Sequence, residues 1–101
     1  MMIRVMYKQP GRTVRTMLIQ NDLKRLQDLV DGYIETVSIL KGIVMIVNEE
    51  GKIREMPPNF LYGFDVIAGP AIFCRVDRDK LASLTAEQME EVRTLLKEGE
   101  L

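Results

Sequence analysis

Apolar and polar positions alternate from the first residues of the chain. Ile3, Val5 and Tyr7 fall on one side and Met2, Arg4 and Met6 on the other, the period-two signature of a strand. Gln9-Pro10-Gly11-Arg12 follows as a turn, because Pro presets φ and Gly tolerates positive φ. Thr13 to Ile19 then returns as the second arm of a hairpin. The period changes next. Leu23, Leu26, Leu29 and Val30 recur at helical spacing, with Asn21 as the expected cap and Gly32 as the stop. Tyr33 to Leu40 reads as a strand and Lys41-Gly42 as a tight turn.

Ile43-Val44-Met45-Ile46-Val47 is apolar at every position. So short a run, bounded by turns, predicts a strand buried on both faces. Glu49 to Lys52 turns the chain back into a brief extended stretch at Ile53-Arg54. Pro57-Pro58 predicts a loop, and Phe60 to Phe64 form an aromatic-rich segment around Gly63. Val66 to Val76 is extended, broken at Gly69-Pro70. The last helix carries the strongest local signal. Thr85 and Gln88 make a capping box, Leu84 and Met89 a hydrophobic staple, and Met89, Val92, Leu95 and Leu96 an apolar stripe.

The predicted order is β-β-α-β-β-β-α. It describes one α+β domain over residues 1–101, with a mostly antiparallel sheet of five to six strands and two helices covering one sheet face. The double-sided strand at 43–47 then needs cover on its second face, from the aromatic segment 60–64 or from a second copy of the chain. The expectation drawn is a homodimer or higher homo-oligomer.

Composition removes whole classes of chemistry. The chain has 101 residues, no histidine and one cysteine. The commonest general base, metal ligand and pH switch are therefore all missing. Cys74 alternates with Ile72 and Val76 on an apolar face, which reads as core packing. No Gly-rich phosphate loop and no carboxylate cluster at ligand spacing occurs, so the expectation is no enzyme, no metal and no cofactor. No apolar run approaches the length of a membrane span. The lone cysteine and the lack of a signal-peptide core predict a cytoplasmic protein without membrane association.

The formal net charge of −1 argues against sequence-specific or bulk nucleic-acid binding. The charge is uneven. Residues 1–26 carry six basic groups against one acid, whereas residues 77–101 carry seven acids against four bases. A basic face at the N-terminal hairpin, around Arg12, is one candidate surface. Tyr33 and Glu35 share a strand face, Asn48 ends the buried strand, and Asn59 follows the prolines, where it reads as a turn former or, alternatively, as an amide presented to a ligand with Phe60 or Tyr62 stacking nearby. Aromatics with a few placed amides suit small ligands, including nucleotides.

The blocks Gly32–Glu35, Asn48–Lys52, Pro57–Asn59, Asp65–Gly69 and Ser83–Thr85 stand in an order that resembles one family. It is the small domain of phages and Firmicutes mobile elements known as domain of unknown function 3846. The chain departs from the family pattern at Phe60 and at Arg54-Glu55-Met56. The resemblance implies an accessory role such as counter-defence and brings no activity with it. Two partners are then expected: a small nucleotide-derived immune signal that the protein sequesters, or a host defence nuclease that it inhibits through the acidic last helix (Glu87, Glu90, Glu91).

Overall fold

A computed structural model describes all 101 residues. The elements are β1 (Met2–Lys8), β2 (Arg15–Gln20), α1 (Leu23–Val30), β3 (Ile34–Leu40), β4 (Ile43–Asn48), β5 (Pro58–Tyr62), β6 (Asp65–Ala68), β7 (Ala71–Asp77), β8 (Lys80–Ala82) and α2 (Ala86–Glu98). Six strands form one antiparallel sheet in the order β2-β1-β7-β4-β3, with β8 paired to the far end of β7. β5 and β6 form a separate two-stranded ribbon. The fold is α+β, as the hydrophobic pattern predicts. No helix is long and apolar enough to cross a membrane.

The sheet separates two apolar cores. On one face, Ile3, Val5 and Tyr7 of β1 meet Val44, Ile46, Ile72 and Cys74, and Leu26, Leu29 and Val30 of α1 close over them. On the other face, Met6, Met45, Val47 and Phe73 lie beneath Phe60 and Ile67 of the ribbon and Val92 and Leu96 of α2. Every residue of β4 is buried. Burying one such side chain contributes about 1.5–3 kcal/mol, so this strand anchors both cores.

The helices therefore lie on opposite faces of the sheet, not on one face as expected. The period of an amphipathic helix shows that a face is buried but not which layer buries it. The second face of β4 is covered within the chain, by the ribbon and α2. That strand no longer supplies a reason for a second copy.

Three local expectations change. The α1 cap is Asp22, whose carboxylate accepts from the Arg25 N–H at 2.8 Å. Asn21 instead donates its side-chain amide to the Leu81 carbonyl and its backbone N–H to Met1. Ile53-Arg54 is not extended, because residues 50–56 satisfy their backbone locally, for example Arg54 N–H to Glu50 O and Met56 N–H to Gly51 O. Pro58 opens β5 rather than interrupting the sheet, since a first strand position tolerates a missing N–H. The short β8, reached through a left-handed Arg78, carries no alternation strong enough to announce it. The capping box of α2 forms as predicted, with Gln88 N–H to Thr85 Oγ1 at 3.1 Å and Thr85 N–H to Gln88 Oε1 at 3.0 Å.

Candidate functional site

The N-terminal hairpin turns as its sequence requires. Arg12 N–H donates to Gln9 O at 3.1 Å and Gly11 takes φ +72°, the pattern of a type II turn. This turn projects Arg12 beside the start of β5 and the last turns of α2. The three elements enclose a cleft of about 520 Å³. Lys8, Arg12, Arg93 and Lys97 line it, with Glu100 as the only acidic side chain. Its volume falls in the range of small-molecule sites, and its lining is mostly polar.

Lys8 is held in place. Its ammonium donates to Asn59 Oδ1 and to Gln9 O, each at 2.9 Å. One of its three N–H groups is left for the cleft. Burial lowers the Lys8 pKa from its ordinary value. Arg93 pairs with Glu90 on the helix surface, whereas Lys8, Arg12 and Lys97 enter no ion pair. Three unneutralised cations converging in one concavity attract an anion, and charge-assisted hydrogen bonds to its oxygens are stronger than neutral ones. Lys97 also complements the C-terminal end of the helix dipole.

The cleft brings together three of the expected site residues, Arg12, Asn59 and Phe60. Only Arg12 is exposed. Asn59 is buried, and its amide donates to Lys8 O at 2.8 Å and to Gly69 O at 2.9 Å. Its side chain joins β1, β5 and the β6–β7 link and orients Lys8. Phe60 is fully buried, its ring 6.0 Å from that of Phe73 at a tilt of 36°. It offers the cleft an edge of core, not a face for stacking.

The other four stand apart. Tyr33 is exposed just before β3, in a shallow hollow with Asp31, Glu50 and Arg54. Glu35 and Asn48 border a hollow with Lys52 and Asp65, which pair with each other. The Asn48 amide donates to Val30 O and Asp31 O and accepts from Glu50 N–H, so it ties α1 to the β4 end. Tyr62 lies against α2 on another side of the ribbon, its hydroxyl donating to Ile39 O.

Arg93 and Lys97 escaped the sequence reading. Their i, i+4 spacing places them on one helix face, and that was the available signal. Cys74 is buried, and desolvation pushes its thiol up to about 12. No three of the Cys, Asp and Glu side chains gather as a metal site requires.

Fold and cleft together define a small α+β domain with a basic concavity between a hairpin tip, a ribbon and a helix end. The chain matches the family model described as Domain of unknown function (DUF3846) over residues 3–97, and it belongs to that family. No curated protein and no solved structure matches it.

Proposed function

We propose that this chain is a non-enzymatic accessory protein of a phage or mobile element. It acts in the cytoplasm, where it binds a small nucleotide-derived immune signal and sequesters it unchanged. One observation carries the reading: Lys8, Arg12, Arg93 and Lys97 line one cleft in a chain whose net charge is −1. Recognition is by phosphate oxygens, through ammonium and guanidinium groups. Base stacking has no part, because the Phe60 ring lies inside the core.

The test is calorimetric titration with inorganic pyrophosphate, a mononucleotide and a cyclic dinucleotide, followed by heat release and chromatography of the ligand. Saturable binding is expected, with the ligand recovered intact. The double variant Arg12→Ala/Lys97→Ala is expected to bind about tenfold more weakly or worse, as loss of two charge-assisted contacts implies. An altered product removes sequestration. Failure of every phosphate-bearing probe to bind removes the ligand class.

A further inference from the structure

A second concavity, of about 590 Å³, lies on the other flank of the α2 end. Its floor is apolar: Leu40 at the end of β3, Leu61 of β5 and Leu95 of α2. Tyr62 adds its ring, with the hydroxyl occupied by Ile39 O at 3.2 Å. The rim is acidic. Glu91 and Glu98 stand seven residues apart on one helix face, about 10 Å by helical rise. Both are exposed and neither enters an ion pair. Phe64 stands outside the lining but follows Gly63, which belongs to it, at the tip of the ribbon, and it is fully exposed. An unburied aromatic one residue beyond the lining of an apolar trough suits a protein-contact anchor.

We propose that this groove docks a basic amphipathic helix of a partner protein, one whose apolar stripe is flanked by lysines or arginines about two turns apart. The stripe fills the trough over Leu40, Leu61 and Leu95. The cations meet Glu91 and Glu98, whose spacing a helix lying along α2 reproduces. Phe64 caps the end of the docked segment. Neither helix of a second copy offers such a basic amphipathic stripe. In α1, Lys24 already pairs with Asp28 while Leu26, Leu29 and Val30 are buried in their own core, and α2 is itself acidic. An anionic membrane surface is repelled by the same two carboxylates. The proposal is independent of the anion reading, because the two concavities share no residue.

Fluorescence anisotropy with a labelled leucine–lysine amphipathic helical peptide tests it. A leucine–glutamate peptide and a serine–lysine peptide serve as comparisons. Saturable one-to-one binding of the leucine–lysine peptide alone is expected. Glu91→Gln/Glu98→Gln is expected to weaken it about fivefold, the worth of two exposed charge contacts. Phe64→Ser is expected to weaken it about tenfold, as for an interface anchor. These side chains are exposed, so thermal unfolding of the variants is expected to match the parent. Arg12→Ala/Lys97→Ala is expected to leave the peptide affinity intact, whatever it does to nucleotides. Equal affinity in all variants, equal binding of the serine–lysine peptide, or self-association abolished by Phe64→Ser overturns the proposal.

Discussion

Asn59 shows how one residue joins fold and site. A carboxamide has two donors and an acceptor, and here all three are used inside the protein: donors to Lys8 O and Gly69 O, acceptor to the Lys8 ammonium. Asn59→Ala takes a donor from the buried Gly69 carbonyl and from the half-buried Lys8 carbonyl, and frees the Lys8 head. Each net hydrogen bond is worth about 1 kcal/mol and each buried unsatisfied group costs about 1–3 kcal/mol. A destabilisation of about 2–4 kcal/mol is therefore expected in urea unfolding. If the variant unfolds with the parent, Asn59 holds neither the ribbon nor Lys8. From the sequence alone, Asn59 reads as a turn former or as an amide offered to a ligand, and Asn48 as a candidate ligand contact at the end of the buried strand. What hid their role is that their partners are carbonyls distant in the chain, such as Gly69 and Val30, which no local pattern names.

Elements were legible where their determinants are local. The α2 start is written in Thr85 and Gln88, the first turn in Pro10-Gly11, and the double burial of β4 in an unbroken apolar run. Their mutual placement was not, because it depends on long-range approach. Gly99 is an instance. Its carbonyl accepts from Leu61 N–H at 2.8 Å, and a Cβ there would run into the Leu61 carbonyl oxygen. This close backbone approach fastens the end of α2 to the outer edge of β5, and both concavities border it. Arg12 was readable as part of a basic hairpin, whereas its meeting with Arg93 and Lys97 depends on this junction. Gly99→Ala is expected to cost about 1–3 kcal/mol, the usual range for overpacking. Hydrogen exchange should show the last turn of α2 opening before the rest of the helix. Unchanged protection there would mean that the junction does not hold the helix end.

At the scale of the molecule, the sheet partitions ionisable chemistry as well as apolar surface. The core beneath α1 holds two groups that titrate only in alkali, Tyr7 and Cys74. Burial raises both pKa values, that of Cys74 from 9.0 to about 12 and that of Tyr7 above its ordinary 10.0. The nearby Arg15 and Arg25 charges partly counter the Tyr7 shift. The Tyr7 hydroxyl also donates to Leu29 O at 2.6 Å, a bond that the phenolate cannot make. Because both folded values lie above the unfolded ones, the native state holds more protons. The stability that these two groups contribute is complete below pH 9.0 and is lost as pH rises toward 12, opposed in part by Lys8, whose lowered pKa acts with the other sign. One proton of difference gives a slope of about 1.4 kcal/mol per pH unit. Urea midpoints are therefore expected to be level through neutrality and to drop steeply above the thiol's unfolded value. Cys74→Ala should remove the first part of that drop and leave the part that belongs to Tyr7. A midpoint that stays level through the alkaline range, or a Cys74→Ala profile parallel to the parent's, would mean that water reaches this core. The face beneath α1 would then not be the sealed layer that the packing of Leu26, Leu29 and Val30 describes.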